Sequence, residues 1–136
     1  MTLCDTGPLV ALIDRDDAHH ERCAVALKSL PPAPLLTTWP CVTEAMYLLG
    51  RAGGPAAQDE LWGWVADGLV TIHTQGSAAA ARMRELMAEY ADAPMDVADA
   101  SLVEAAEELG LRKIFTVDKH FYAYRIGDGG VFEVVP

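Results

Sequence analysis

The sequence predicts an α/β domain in which helices pack against a central, mostly parallel sheet. Short apolar segments alternate with helical segments along the whole chain, and Gly or Pro marks most of the boundaries between them. Strands separated by helices are joined by crossover connections, which make them parallel members of one sheet. The length of 136 residues favours a single domain, residues 1–136, with one core.

The first half of the chain predicts two strands and four helices. Pro8 lies near the first turn of the first helix, which Asp5 or Thr6 caps. In the second helix, Cys23 and Leu27 are expected to face the core together with Ala24 and Leu30, and residues 51–55 are expected to form a connection. The predicted strands are Thr2–Cys4 and Leu35–Thr37, and the predicted helices are a first one that runs through Ile13, then Ala18–Leu30, Trp39–Leu49 and Gln58–Ala66.

The second half predicts three strands and two helices. Met83, Leu86 and Met87 are expected to face the core from the first of these helices, and Gly110 ends the second. The predicted strands are Leu69–Ile72, Lys113–Val117 and Val131–Val135, and the predicted helices are Ser77–Tyr90 and Val97–Leu109. In a parallel sheet of this kind, ligands bind beyond the carboxyl ends of the strands.

The composition is acidic, with 20 Asp and Glu against 10 Lys and Arg and a net charge of −10. This balance argues against the broad basic surface that nucleic-acid-binding proteins usually present. A metal site would neutralise part of the surplus, and the acidity also suits a basic protein partner. The three cysteines show no CxxC spacing and are expected to be free thiols in a reducing compartment. With no apolar run of about 20 residues, the protein is expected to be cytoplasmic, without a membrane contact.

Five carboxylates are candidates for one site, namely Asp5, Glu44, Asp96, Asp99 and Asp118. Four of them follow a predicted strand or begin a predicted helix, and these four have an ordinary structural explanation, because Asp is favoured in turns, at N-caps and in the first turn of a helix. Glu44 lies inside an apolar helix, where a carboxylate is seldom fully buried unless it is paired or binds a metal. Together, however, they converge on one end of one sheet. Like charges about 4 Å apart repel by about 4 kcal/mol at an effective dielectric near 20, so a bound cation is expected. Oxygen ligands favour Mg²⁺ or Mn²⁺, which indicates hydrolysis of phosphodiesters.

Four segments in order resemble the successive motifs of the PIN domain family, in particular its VapC-like toxin nucleases. They are Leu3–Leu9, Thr43–Ala45, Ala98–Leu102 and Phe115–Phe121. The resemblance implies a three-layer α/β/α fold and a ribonuclease that uses one or two Mg²⁺ or Mn²⁺ ions. It also implies the toxin of a type II toxin–antitoxin pair, with RNA as substrate, a small antitoxin with a basic segment as partner, and a homodimer.

The resemblance assigns roles by position. Asp5, Glu44, Asp99 and Asp118 correspond to the acidic metal site, and the hydroxyl of Thr6 supports it. Asp96 matches a further residue that is frequent in the family and is a candidate ligand. Lys119 and His120 depart from the family pattern, which more often has a small or acidic residue before the Phe.

Other interpretations predict different residues. A haloacid-dehalogenase-type phosphatase requires an Asp two residues after the first, where this chain has Gly7. A receiver-like domain requires an acidic pair after the first strand, where Asp5 is followed by Thr6. A catalytically silent PIN-fold module that binds RNA or protein is the remaining alternative, and its mark would be a missing acid. The histidines are assigned no ligand role, since His73 and His120 stand alone in the sequence.

Overall fold

A computed structural model describes all residues, 1–136, as a five-stranded parallel sheet with helices on both faces. The strands are β1 (Thr2–Cys4), β2 (Leu35–Thr38), β3 (Val70–His73), β4 (Lys113–Phe115), β5 (Arg125–Ile126), β6 (Gly130–Val131) and β7 (Glu133–Val135). The helices are α1 (Thr6–Ile13), α2 (His20–Ser29), α3 (Trp39–Ala66), α4 (Ser77–Glu89) and α5 (Val97–Leu109), with a 3₁₀ helix at Lys119–Tyr122. The predicted three-layer α/β/α fold is confirmed.

The sheet has the strand order β3-β2-β1-β4-β7, with every neighbouring pair parallel. The strand β1 lies at its centre, between β2 and β4. All residues of β1 and β2 are buried, which is expected for strands covered on both faces. The carboxyl ends of β1, β2 and β4 therefore open onto the same edge.

Successive residues of the central strands enter cores on opposite faces of the sheet. Leu3 and Ile114 belong to the core beneath α4 and α5, together with Leu86, Leu102 and Phe121. The neighbouring Cys4 and Phe115 belong to the core beneath α1, α2 and α3, whose largest members also include Leu9, Leu49 and Leu61. The three cysteines are buried free thiols, as predicted. No helix combines the length and the apolar character needed to cross a bilayer.

Three predicted boundaries were wrong. Residues 51–55 are not a loop, because α3 continues through them and is only kinked at Gly54, where φ is 68° before Pro55. The strand β4 ends at Phe115 rather than Val117. The final strand is split at Phe132, which is buried in the core, so β6 pairs with β5 in a hairpin and β7 joins the main sheet.

Two apolar residues predicted to face the core are instead at the surface. Leu27 of α2 and Met87 of α4 are both exposed. The helix α2 packs mainly against α1, and α4 packs mainly against α5. Each buries only one narrow stripe, occupied by Cys23 and Ala26 in α2 and by Ala79 and Leu86 in α4. Both exposed residues follow a buried one directly, so they point away from that stripe.

Candidate active site

A pocket of about 230 Å³ lies at the carboxyl end of the central strands. Carboxylates from four separate chain segments surround it, and it contains all five predicted acids. Its lining consists of Asp5, Thr6, Gly7, Glu44, Asp96, Ala98, Asp99, Val117 and Asp118. The structure thus brings together every residue that the sequence assigned to the site.

Asp5 is one of the two buried acids of the pocket. It follows β1 directly and caps α1, with its Oδ1 accepting a hydrogen bond of 2.8 Å from the Thr6 amide. Its Oδ2 accepts a bond of 2.7 Å from the hydroxyl of Thr116. Burial raises the pKa of Asp5 to about 6, despite those two donors, and the charges of Asp118 and Glu44 act in the same direction. Asp5 is therefore both a helix cap and a buried carboxylate without a Lys or Arg partner.

Asp99 lies in the first turn of α5, where it forms a reciprocal capping box with Asp96. The Asp99 amide donates to Asp96 Oδ1 at 2.8 Å, and the Asp96 amide donates to Asp99 Oδ2 at 3.3 Å. The hydroxyl of the buried Tyr124 also donates to Asp99 Oδ2, at 3.1 Å. Burial raises the pKa of Asp99 to about 7, with further contributions from the charges of Asp96 and Asp5. Asp96 itself is exposed and lies at the rim.

Asp118 completes the group from the segment that follows β4. Its amide donates to the Thr116 hydroxyl at 3.0 Å, and its Oδ1 accepts from the amide of His120 at 2.9 Å. The hydroxyl of Thr116 thus holds Asp5 and turns the chain toward Asp118, which explains why β4 ends before Thr116. The ring Nδ1 of His120 lies 3.0 Å from the same carboxylate oxygen.

Glu44 occupies a different position from the one its neighbours suggested. It is exposed in α3 and lies at the rim of the pocket, since the buried stripe of this helix passes through Cys41, Val42 and Ala45. Desolvation raises its pKa, and the nearby charge of Asp96 adds to the effect. Thr6 is buried, and its hydroxyl donates to the carbonyl of Cys41 at 3.4 Å.

Three of the acids form a compact set of oxygen ligands. Asp5, Asp99 and Asp118 each offer one carboxylate oxygen, and all three oxygens lie within 4.8 Å of one another. None of the three pairs with Lys or Arg, and only Asp118 contacts a ring nitrogen. Carboxylate oxygens without a basic partner are the donor set that Mg²⁺ and Mn²⁺ prefer. The residues therefore fit a hard divalent cation.

Gly7 permits a close approach of two segments that carry these acids. A Cβ atom at this position would lie 2.7 Å from Cγ2 of Val117. Gly7 is two residues from Asp5, and Val117 directly precedes Asp118. The absence of a side chain thus lets the start of α1 touch the segment after β4.

Sequence reasoning missed two residues that support the acids. Thr116 and Tyr124 donate to Asp5 and Asp99 across 111 and 25 positions of the chain. A polar residue between an apolar strand and Asp118 was a usable signal for Thr116. Tyr124 gave no such signal, because only the packing of the segment after the 3₁₀ helix places its hydroxyl beside Asp99.

A family model for the PIN domain matches residues 2–127, which is most of the chain. The protein belongs to the PIN domain family. A curated relative of this PIN domain protein is Ribonuclease VapC26 of Mycobacterium tuberculosis. The two are 28% identical over 135 residues, which cover 98% of this chain and 99% of the relative.

Solved structures confirm the PIN fold over the full length of the chain. VapC20 of Mycobacterium tuberculosis, a toxin that cleaves the sarcin–ricin loop, superposes with a TM-score of 0.86 at 20% identity, and the match covers 100% of both chains. VapBC2 of Rickettsia felis, bound to a DNA fragment from its promoter, matches with a TM-score of 0.69 at 14% identity over 99% and 98% of the chains. A toxin–antitoxin complex from Klebsiella pneumoniae matches with 0.67 at 21% identity over 100% and 97%.

Proposed function

We propose that this PIN domain is a metal-dependent ribonuclease and the toxin of a type II toxin–antitoxin pair. The observation that carries the proposal is the set of three carboxylates, Asp5, Asp99 and Asp118, gathered at the carboxyl edge of the sheet without a basic partner. The relative that matches over nearly its whole length is named a ribonuclease, which supports RNA as the substrate.

In this proposal Asp5, Asp99 and Asp118 hold Mg²⁺ or Mn²⁺, and Glu44 and Asp96 act from the rim, directly or through water. A divalent ion held by these residues would supply positive charge against the phosphate and would make water a better nucleophile. Substrate approach depends on that charge, because a phosphodiester would otherwise be repelled by the acids. No side-chain nucleophile is required.

The chain itself fixes the orientation of the ligands. The Thr6 amide and the Thr116 hydroxyl hold one oxygen each of Asp5, and the Tyr124 hydroxyl holds Asp99. All three donors belong to buried residues, so the carboxylates are held in position before a cation arrives. The protein contributes geometry and electrostatics rather than covalent chemistry.

The decisive experiment is RNA cleavage by the purified protein with Mg²⁺, Mn²⁺ or excess chelator. We expect cleavage only with a divalent ion, and a loss of about 100-fold or more in Asp5→Asn and in Asp99→Asn. Asp59→Asn is the matched control, because Asp59 is an exposed acid outside the pocket. Full cleavage in chelator, or by both pocket variants, would refute the metal mechanism. RNA binding without cleavage would instead favour the silent PIN-fold module.

We also infer that the partner is a small antitoxin whose basic segment places an Arg or Lys among the pocket acids. The uncompensated carboxylates and the net charge of −10 support this chemistry. Two of the structural neighbours are VapBC2 and a toxin–antitoxin complex. The chain should be co-expressed with the protein encoded beside it, and the complex should lack nuclease activity. Inhibition that survives removal of every basic residue of the contacting segment would contradict the electrostatic part.

A homodimer is a further prediction of the family resemblance. The exposed aromatic side chains of Trp39, Tyr47 and Trp62 on α3 offer apolar surface for such a contact. Sedimentation velocity of the free protein would measure the mass, and a monomer at all accessible concentrations would contradict the prediction.

A further inference from the structure

A second group of potential ligands lies apart from the acidic pocket. His73 ends the strand β3, and Glu104 and Glu108 are four residues apart on α5, hence on one face of that helix. One ligand atom from each of these three residues lies within 4.8 Å of the others. The ring Nε2 of His73 and Oε2 of Glu108 are 2.9 Å apart. Two elements of the fold thus converge on one point.

Glu104 distinguishes this group from an ordinary surface ion pair. It is only 8% exposed, yet no Lys, Arg or His forms an ion pair with it. Its hydrogen-bond donor is the neutral amide of Gln75, which contacts Oε2. Buried carboxylates are normally paired with a cation or bound to a metal. The next acid on the same helix, Glu107, follows that rule, because Arg82 pairs with it.

We propose that His73, Glu104 and Glu108 form a second metal site, selective for a divalent transition-metal ion such as Zn²⁺. An imidazole nitrogen with two carboxylate oxygens suits Zn²⁺ better than Mg²⁺, whereas the pocket of Asp5, Asp99 and Asp118 offers oxygen alone. Three protein ligands leave one tetrahedral position for water. The proposal does not depend on the ribonuclease assignment.

An ion at this site would join the edge strand β3 to α5. Glu104 lies five residues after Asp99, so these two residues are about 7.5 Å apart along the axis of α5. The ion would therefore stabilise the helix that presents Asp99, from outside the nuclease pocket. The expected signature is a rise in Tm with Zn²⁺ that does not require the pocket acids.

The test uses Zn²⁺ as the probe. The parent protein is the double variant Asp5→Asn, Asp99→Asn, in which metal binding by the acidic pocket is weakened. Isothermal titration should show one Zn²⁺ per chain for this parent. Adding His73→Ala or Glu108→Gln should weaken the affinity by about tenfold or more and abolish the rise in Tm. His19→Ala and Glu89→Gln are the matched controls, since both residues are exposed and outside either group.

The contrary results are equally specific. A parent that binds no Zn²⁺ at millimolar concentration would overturn the proposal and leave two plain hydrogen-bonded pairs. Unchanged affinity in His73→Ala would do the same. If the parent fails to fold, the unmodified protein with saturating Mg²⁺ replaces it, and Co²⁺ reports the site through its visible absorption. That absorption should disappear in His73→Ala and persist in His19→Ala, and its persistence in both would overturn the site.

Discussion

Two regions beside α5 contain partly or fully buried carboxylates, and the pKa values of these carboxylates shift in opposite directions. At Glu107, both oxygens accept hydrogen bonds of 2.8 Å from Arg82, and Oε2 also accepts one of 2.7 Å from the amide of Gly127. These bonds lower the pKa of Glu107, with Arg82 as the main cause. At Asp5 and Asp99, burial raises the pKa to about 6 and about 7.

Both regions supply hydrogen-bond donors, but the main donor to Glu107 is the charged Arg82, whereas the side-chain donors in the pocket are neutral hydroxyls. Asp99 accepts from Tyr124 and Asp5 accepts from Thr116, yet desolvation and the neighbouring acids outweigh those donors. What the pocket lacks is a fixed cation such as Arg82. The Glu107 carboxylate is neutralised by Arg82 within the folded chain, whereas no Lys or Arg pairs with the pocket acids, which is the condition that the proposed metal site requires.

The pH dependence of stability separates the two regions most strongly. An acid whose folded pKa is raised binds more protons in the folded state, so the free energy of unfolding rises as pH falls through that pKa. The metal-free protein should therefore gain stability between pH 8 and pH 5, with about 1 kcal/mol from Asp5 by pH 5, and Asp5 contributes its full difference of about 3 kcal/mol only below its unfolded pKa of 3.8. Glu107 acts oppositely, and its stabilisation is lost only below its ordinary pKa of 4.5.

Urea denaturation in excess chelator at a series of pH values measures this effect. In the double variant Asp5→Asn, Asp99→Asn, the gain in stability below pH 8 should largely vanish. At pH 8 this double variant should be no less stable than the natural chain. Mn²⁺ should stabilise the natural chain more at pH 8 than at pH 5, because protons compete with the ion. A natural chain whose stability falls between pH 8 and pH 5 would refute the assigned pKa directions.

Replacing Arg82 should leave the carboxylate of Glu107 without a neutralising positive charge. We expect Arg82→Met to lower the free energy of unfolding by about 2 kcal/mol, because it removes charge-assisted hydrogen bonds from a largely buried carboxylate. Arg84→Met is the matched control, since Arg84 is exposed on the same helix and forms no ion pair. Equal stability of the two variants, measured by thermal unfolding, would show that the Arg82 pair is not a stabilising contact.

The smallest expected effect concerns the donor that holds Asp99. Tyr124→Phe removes a hydrogen bond of 3.1 Å and should weaken Mn²⁺ binding by about fivefold, which corresponds to about 1 kcal/mol. Tyr122→Phe is the control, because Tyr122 is the exposed last residue of the 3₁₀ helix that precedes Tyr124. The comparison is a calorimetric Mn²⁺ titration, and identical affinities in the two variants would exclude a positioning role for Tyr124.

The sequence predicts the fold well where burial is complete. Thr2–Cys4 and Leu35–Thr38 are apolar or small throughout because both faces of these strands are covered. Prediction from the sequence fails where tertiary contacts determine the boundaries of an element. The Gly-Gly-Pro segment at 53–55 predicts a break, but helical backbone continues on both sides of the kink at Gly54. Phe132 is buried in the core and divides the predicted strand Val131–Val135 into two short strands with different partners.

The candidate site shows the same division. Four of the acids can be predicted from sequence because they follow a strand or begin a helix, and a parallel sheet brings such positions to one edge. The exposure of Glu44 cannot be predicted in this way, because its apolar neighbours suggest burial whereas the helix places its carboxylate at the exposed rim. His73, Glu104 and Glu108 are also invisible as a group, because a strand and a helix distant in sequence must first pack together.

The contact between Gly7 and Val117 should influence which size of divalent ion the pocket prefers. Two segments bearing Asp5 and Asp118 meet where a Cβ would lie 2.7 Å from a methyl group, so a missing side chain sets how far apart their oxygens can be. Mg²⁺ binds oxygen at about 2.1 Å and Ca²⁺ at about 2.4 Å, so the choice between them depends on a few tenths of an ångström. Gly7→Ala should widen the gap and shift the ratio of affinities toward Ca²⁺. An unchanged ratio would show that the ligand spacing is fixed elsewhere.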